Sequence, residues 1–540
     1  MTTTLLPDLG DIARVEYREA FARAVAEGIK GPLVLPYSLL GPFILPPVYL
    51  AIPHTTRPWL YRSRWLIVAF VIVFDLNMIR SMSSMNVACA YASGLMGVWG
   101  ILSTLNLLVW SHPQLDYARA IKVKTKQQQH MNGAPKDHLN DTNGSSRELR
   151  LRRRNQGAVS TTPSDEAGGP QEHKSLEDSG CVWQTFPEHG SFSERLNWTF
   201  DLATNFRKIG WSCSISSVPR PDIPDNIRDG DSVSLNNMPV VSRSGYQRSL
   251  TQAEFVWKRV RYVAIMYVLL DCGAVFMVKD PFFVYGPDHS LDLPVFLQRL
   301  PPRLLLMYRE VSTLAGIYAA IEAIFNLHDL FQYYIFSYQY PARGELWQYT
   351  SIFGSFTQVF DRGLAGWWGA WWHQTFRLQF VAPAKYLVKQ GYLDKTSLLT
   401  PIITMYVSFF QSGLLHAAGS ISCMRTTMAW RSPVFFLLQP PGIIIQHLLN
   451  MAIDAIFPNT PRRLRQAFNL VSSLAWLHLT APPFVNDIAS TGLWLLEPVP
   501  ISPLRWLGFG HPDDHWWRWN RELFPVWHSD KNWWKSGLQM

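Results

Sequence analysis

Apolar runs long enough to cross a bilayer alternate along this chain with short basic connections, and one long polar stretch interrupts them. A hydrocarbon core of roughly 30 Å needs about 20 consecutive apolar residues. Residues 31–53 and 86–110 reach that length, with a shorter run at 65–79 between them. Residues 112–250 are polar, and beyond them apolar runs return at 260–278, 304–325, 398–421, 434–457 and 468–485, with a less regular one at 488–506. In lipid every backbone N–H and C=O has to be satisfied within the spanning element, so the pattern predicts an all-α, polytopic integral membrane bundle of about eight or nine spans.

The basic residues give the bundle an orientation. Arg57, Arg62 and Arg64 lie between the first two runs, Arg119, Lys122, Lys124 and Lys126 follow the third, and Lys258, Arg259 and Arg261 open the fourth. All three groups fall on one side if the loops alternate, and cytosolic loops carry the excess of Lys and Arg. The N-terminus is therefore expected in the lumen and the polar insert in the cytosol. The domain plan that follows is a three-span membrane unit over residues 1–110, a cytosolic insert over 111–255, a membrane bundle over 256–510 and a Trp-rich tail over 511–540. No short basic stretch followed by an apolar run precedes the first span, which is expected to stay as an anchor.

Composition refines this plan. Hydrophobic residues make up 48% of the chain, an average that conceals the difference between the insert and the rest. Within the insert, residues 127–190 hold too few large apolar side chains to offset the loss of chain entropy, and disorder is expected there. Residues 194–211, with Leu196, Phe200 and Leu202 among charges and a tryptophan near each end, fit either an amphipathic helix on the membrane surface or a helix packed on the cytosolic loops. The five cysteines are scattered without metal-type spacing and suggest neither a disulfide framework nor a zinc site. A net charge of +9 suits contact with anionic lipid, and no nucleic-acid motif accompanies it.

Two histidines carry the candidate chemistry. In "WWGAWWHQTFR", residues 367–377, a helical wheel gathers Trp367, Trp368, Trp371 and Trp372 on one arc and sets His373 and Arg377 opposite, with Arg362 near them. The bland alternative is an interfacial aromatic belt that happens to hold a histidine. His416 lies inside an apolar run, where an ionisable group is a functional-site hypothesis by default. Ser408, Ser412, His416 and Ser420 recur every four residues as a polar stripe, and Gly413 and Gly419 allow close approach of a neighbour. Its bland alternative is a histidine tied to a neighbouring helix by a hydrogen bond. A neutral imidazole can take a proton from a hydroxyl, which is general-base chemistry. No carboxylate pair, nucleophile triad, P-loop or dinucleotide fingerprint accompanies either histidine.

The segments "WWGAWWHQ" (367–374), "SGLLH" (412–416) and "LNWTFDLATNFRKIGW" (196–211) occur in the order seen in the membrane-bound O-acyltransferase superfamily. The chain resembles its wax-synthase-like branch and the fungal acetyltransferases of secondary metabolism within that branch, over roughly residues 190–510. Trp367 stands in place of the family's usual phenylalanine, and Ala370 and Trp371 in place of two basic positions. The resemblance implies transfer of an acyl group, acetyl above all, from acyl-CoA to the hydroxyl of a lipophilic alcohol such as a terpenoid, in the endoplasmic reticulum membrane and without a further cofactor.

By that resemblance His416 is the better candidate for the base, because related sterol and diacylglycerol acyltransferases have asparagine where His373 stands; His373 would orient the acyl donor. Trp368, Trp372, Gln374, Arg377 and Ser412 are the expected substrate-binding residues, and no metal ligand is expected. Trp371, Trp372, Phe409 and Phe410 are expected to restrict the acyl chain to a short one. The expected partners are acyl-CoA, the lipophilic alcohol and the bilayer, with no nucleic acid. Within the same chemistry a long-chain wax or sterol ester synthase is the alternative. From another class, a proton-coupled transporter would use His416 and the intramembrane acids Asp75, Asp271, Glu322 and Asp454 as a relay, although the internal repeats common in transporters are missing. The cluster "HPDDHWWRW" (511–519) could ligate a metal on paper but fits an interfacial tail better.

Overall fold

The computed structural model describes residues 8–123, 180–520 and 523–540. Helices dominate: α1 (Leu9–Ala26), α2 (Arg64–Ser81), α3 (Val87–Leu105), α4 (Phe192–Thr204), α5 (Gln252–Phe276), α6 (Pro302–Tyr334), α7 (Thr357–Gly366), α8 (Arg377–Lys389), α9 (Leu399–Ser422), α10 (Arg431–Leu437), α11 (Gln439–Ile456), α12 (Arg462–Thr480) and α13 (Pro482–Thr491). Among the described residues, four helical stretches are long and apolar enough to cross a membrane: Val87–Trp110, Gln252–Lys279, Pro302–Tyr338 and Arg431–Ile456.

Two expected spans are broken. Residues 31–53 form short strands, a 3₁₀ turn, a π-turn at Leu40–Ile44 and the helix Leu45–Leu50. Pro36, Pro42, Pro46 and Pro47 remove the donors that an unbroken helix needs. Residues 488–506 leave α13 at Gly492, whose φ of +79° ends the helix, and continue as a 3₁₀ turn, extended chain and the short helix Pro503–Trp506.

The N-terminal unit is not a separate body, because α3 lies directly along α9. A Cβ at Gly94 would sit 2.0 Å from the carbonyl oxygen of Ala418. Close backbone packing of this kind is how membrane helices associate when lipid removes the hydrophobic drive. Gly413 likewise lets Pro433 approach, its Cβ position being 2.6 Å from the proline Cα. The far end of the chain joins the same unit: Val34–Leu35, Val526–His528 and Gly537–Gln539 make an antiparallel sheet with Gly537–Gln539 in the centre.

The insert differs from its expectation. Most of the stretch expected to be disordered lies outside the described residues. Its end does not: Cys181–Gln184 pairs antiparallel with Arg119–Lys122, and Trp183 is buried in a cluster with Val233, Leu235, Met238 and Trp347. α4 opens with a capping box between Ser191 and Glu194. Trp198, Leu202 and Trp211, the groups that would have faced a lipid surface, are buried with Tyr49, Leu50 and Leu107 of the membrane unit. Residues 180–250 thus form a packed lobe. Their helical content is low, so periodicity gave no warning of the packing.

Candidate functional site

The aromatic motif is not one continuous helix. α7 kinks at Gly363, whose φ of +59° is open to glycine and strained for other residues, and Gln446 fills the space a side chain there would need. Residues Trp367–Trp371 then form a π-turn, Trp372 turns to extended backbone at ψ 145°, and α8 starts afresh at Arg377. The helical wheel therefore fails across Trp372, and His373 is placed by the break. π-turns of a single winding are common at functional sites.

Local hydrogen bonds hold the break. Gln374 Nε2 donates to the carbonyls of Trp368 at 2.9 Å and Trp372 at 2.7 Å. Arg377 Nη1 donates to the Gly369 carbonyl at 2.7 Å and to Gln374 Oε1 at 2.6 Å. Tyr246 of the insert donates its hydroxyl to the same Trp372 carbonyl at 3.1 Å. Gln374 and Arg377, expected as substrate-binding groups, hold the turn together through bonds to the Trp368, Trp372 and Gly369 carbonyls and to each other. Arg362 is exposed, with a long contact of 3.5 Å to Gln358.

The tryptophans face protein. Trp367 and Trp371 meet edge to face with centroids 4.5 Å apart, and Trp371 also packs on Phe356, Phe353 and Tyr318. Trp368 packs on Phe409, Phe435 and Phe436, and its indole N–H donates to Gln439 at 3.2 Å. Ala370 is fully buried, which leaves no room for the basic side chain of the family's pattern. Phe410 is exposed on the outer face of α9 and is removed from the groups that could limit the acyl chain.

His416 and His373 come from different elements and are linked by a run of ring contacts: His373 on Trp372, Trp372 on Trp368, Trp368 on Phe436 and Phe436 on His416. The imidazole of His416 stacks on Phe436 at 5.2 Å with the planes 9° apart and meets Phe484 edge to face at 5.2 Å. Its Nδ1 lies 2.9 Å from the hydroxyl of Tyr91 on α3. His373 is bracketed by Phe353, Trp372 and Phe376, and its buried Nδ1 has no hydrogen-bond partner among the described residues. A buried donor or acceptor left unpaired costs about 1–3 kcal/mol, so a bound molecule with a polar atom there would be favoured.

The serine stripe divides. Ser408 donates to the Phe380 carbonyl at 3.1 Å, and Ser420 to Asp487, which also accepts from Ser432, both at 2.9 Å. These two serines fasten helices. Ser412, half-buried one turn before His416, shows no such bond among the described residues.

Elsewhere the intramembrane acids are mostly paired: Glu322 accepts from Asn326 at 2.7 Å, Asp454 meets Arg465 at 2.8 Å and Asp271 caps Leu504 at 3.0 Å. Asp75 shows no partner among the described residues and nests against Gly41 and Gly100. In the tail, Asp514 is occupied by Arg505 and Arg518. Tyr91, Tyr246 and the Gln446 knot carried no sequence signal, because each acts on a residue distant in the chain.

Comparison with known proteins points the same way as the resemblance of the motifs. Residues 349–438, which hold the whole of the first motif and His416, match the membrane bound O-acyl transferase family. The chain is similar to the acetyltransferase eriL of Hericium erinaceus, 26% identical over 159 residues, 29% of this chain and 40% of that protein. It is also similar to the acetyltransferase sirH of Leptosphaeria maculans, 21% identical over 341 residues, 61% of this chain and 71% of that protein. A third relative is the acetyltransferase spyB of Aspergillus fumigatus, 28% identical over 204 residues, 38% of this chain and 33% of that protein. The matched regions thus span well under two thirds of eriL and spyB. No solved structure matches the chain.

Proposed function

We propose that this protein transfers an acetyl group from acetyl-CoA to the hydroxyl of a lipophilic secondary metabolite such as a terpenoid, in the endoplasmic reticulum membrane, with His416 as general base. The observation that supports this reading most is the continuous aromatic wall of Trp372, Trp368 and Phe436 that links His373 to His416. His416 Nε2 takes the hydroxyl proton as the oxygen attacks the thioester carbon. The C–S bond breaks, and the proton passes from Nε2 to the departing thiolate. His373 donates toward the thioester carbonyl, where negative charge gathers in the transition state.

The relatives' names as acetyltransferases support a short acyl group. So does the wall of Trp368, Trp372, Phe409 and Phe436, since a site filled to protein density accepts added methylenes poorly. Arg64–Ser81, Leu399–Ser422 and Arg462–Thr480, together with the broken apolar segment Tyr37–Leu50, would carry the four long apolar helices to eight passages.

The test incubates membranes holding the protein with radiolabelled acetyl-CoA or palmitoyl-CoA and a panel of terpenoid and long-chain alcohols. Labelled acetate esters are expected. Equal rates with the two donors would refute acetyl selectivity, and no ester from either would refute the reaction.

A further inference from the structure

We infer that Tyr91 is the positioning residue of His416: its hydroxyl accepts the Nδ1 proton, which holds the imidazole in the tautomer whose Nε2 lone pair faces the alcohol. The inference rests on His416 being the base proposed above. An imidazole can abstract a proton only through the nitrogen that carries none, and the hydrogen bond at the other nitrogen decides which one that is.

Three observations converge on Tyr91. Its hydroxyl is 2.9 Å from His416 Nδ1, and neither group shows another hydrogen-bond partner among the described residues. The phenol is buried and comes from the N-terminal unit, 325 residues away, so no local constraint of the chain puts it there. The fold makes room for it specifically: a Cβ at residue 419, one turn beyond His416 on the same helix, would lie 2.8 Å from the Tyr91 ring. Gly419 therefore admits the phenol beside the imidazole, and Gly94, one turn from Tyr91, brings the two backbones together.

Phe436 and Phe484 hold the ring plane of His416 but cannot choose between its nitrogens, since neither has a donor or acceptor. Tyr91 supplies that choice. During the reaction Nε2 gains the alcohol proton while Nδ1–H stays on the phenol oxygen, so the imidazolium formed is hydrogen bonded at once. When Nε2 returns the proton to the thiolate, the starting tautomer is restored without a ring flip.

The test compares Tyr91→Phe and His416→Ala with the wild-type protein in membranes, each first shown to reach wild-type abundance and thermal stability. Tyr91→Phe keeps the ring and removes only the hydroxyl. The expected result is a fall in kcat of about 10 to 100 fold, by analogy with the hydrogen-bond partners that orient metal-bound imidazoles, with KM for acetyl-CoA and for the alcohol unchanged. A purely structural role would lower the amount of active enzyme or alter KM instead. An inactive His416→Ala alongside a fully active Tyr91→Phe overturns the role of Tyr91 and leaves the base in place. An active His416→Ala overturns both.

A second measurement does not depend on Tyr91→Phe folding. In ¹⁵N-histidine-labelled wild-type protein, with the His416 signal assigned by its loss in His416→Gln, the nitrogen shifts report the tautomer. A proton on Nδ1 supports the inference, and a proton on Nε2 with Tyr91 donating overturns it.

Discussion

The two histidine-bearing segments are built in opposite ways. His416 sits in mid-course on the regular helix α9, and everything that orients it comes from elsewhere: Tyr91 from α3, Phe436 from α10 and Phe484 from α13. His373 sits where a π-turn gives way to extended chain, and its backbone is stapled chiefly by neighbours within its own motif, Gln374 and Arg377. A regular helix offers its side chain a fixed direction at no cost, but it leaves the choice of partners to packing. A broken helix exposes unpaired carbonyls, and the sequence has to provide donors close by to satisfy them.

The sharpest test of this contrast is removal of the imidazole itself. His416→Ala is expected to lower the esterification rate by about 100 to 10,000 fold, the usual contribution of a general base. His373→Ala should cost less in rate but also raise KM for the acyl donor. The pattern is read from rate against acyl-CoA concentration, and equal losses in kcat alone would erase the distinction between the two positions.

Next in size is the local staple. Gln374→Leu takes the side-chain donor from the Trp368 carbonyl, at about 1–3 kcal/mol, leaves the Trp372 carbonyl to Tyr246 alone and releases Arg377. Activity should fall by up to about 100 fold through misplacement of His373, while thermal stability of the whole bundle drops far less. A loss of folded protein in proportion to activity would show that the turn is part of the general scaffold.

The long-range arrangement predicts the reverse. Gly94→Ala forces a methyl group toward the Ala418 carbonyl, and backbone cannot rotate away as a side chain can. An overpacked site of this kind typically costs about 1–3 kcal/mol, so detergent-solubilised protein should unfold at lower temperature. Unchanged stability would mean that α3 and α9 separate easily and that Tyr91 is loosely placed.

The smallest effect at neutral pH lies in the insert, which backs the His373 turn through Tyr246. Asp201 is buried between Arg119, 3.4 Å away, and Arg343. Burial alone would raise its carboxyl, but the two guanidiniums outweigh that and hold it below the usual carboxylate range. A depressed carboxyl stabilises the fold above its unfolded value of about 3.9 and loses that contribution as pH falls through the folded value. Resistance of the insert to proteolysis should therefore be flat from about pH 8 to pH 5 and decline only below about pH 4. A decline already between pH 7 and pH 5 would point to another group.

The sequence alone pointed to the membrane class, to four helices whose length and apolarity suit a span, and to both histidines as candidates, because apolar length and an ionisable group inside an apolar run are local properties. The wheel drawn through Trp367–Arg377 failed because a π-turn obeys neither of the regular periods, and the two proline- and glycine-broken runs failed for a related reason: composition reports apolarity but not the loss of backbone donors. The lobe of residues 180–250 was missed in part because buried Trp183 and Trp211 are scattered among polar residues with no period to expose them.

Only the tertiary structure decided that Tyr91 meets His416, that Tyr246 holds the Trp372 carbonyl and that Arg377 serves the turn. Each depends on which backbones approach, and approach is set by small side chains such as Gly94, Gly413 and Gly419 on faces that a single chain does not pair for the reader. The residue types that can do chemistry are written along the sequence. Which nitrogen of an imidazole is free to do it is a matter of one hydrogen bond between residues 325 positions apart.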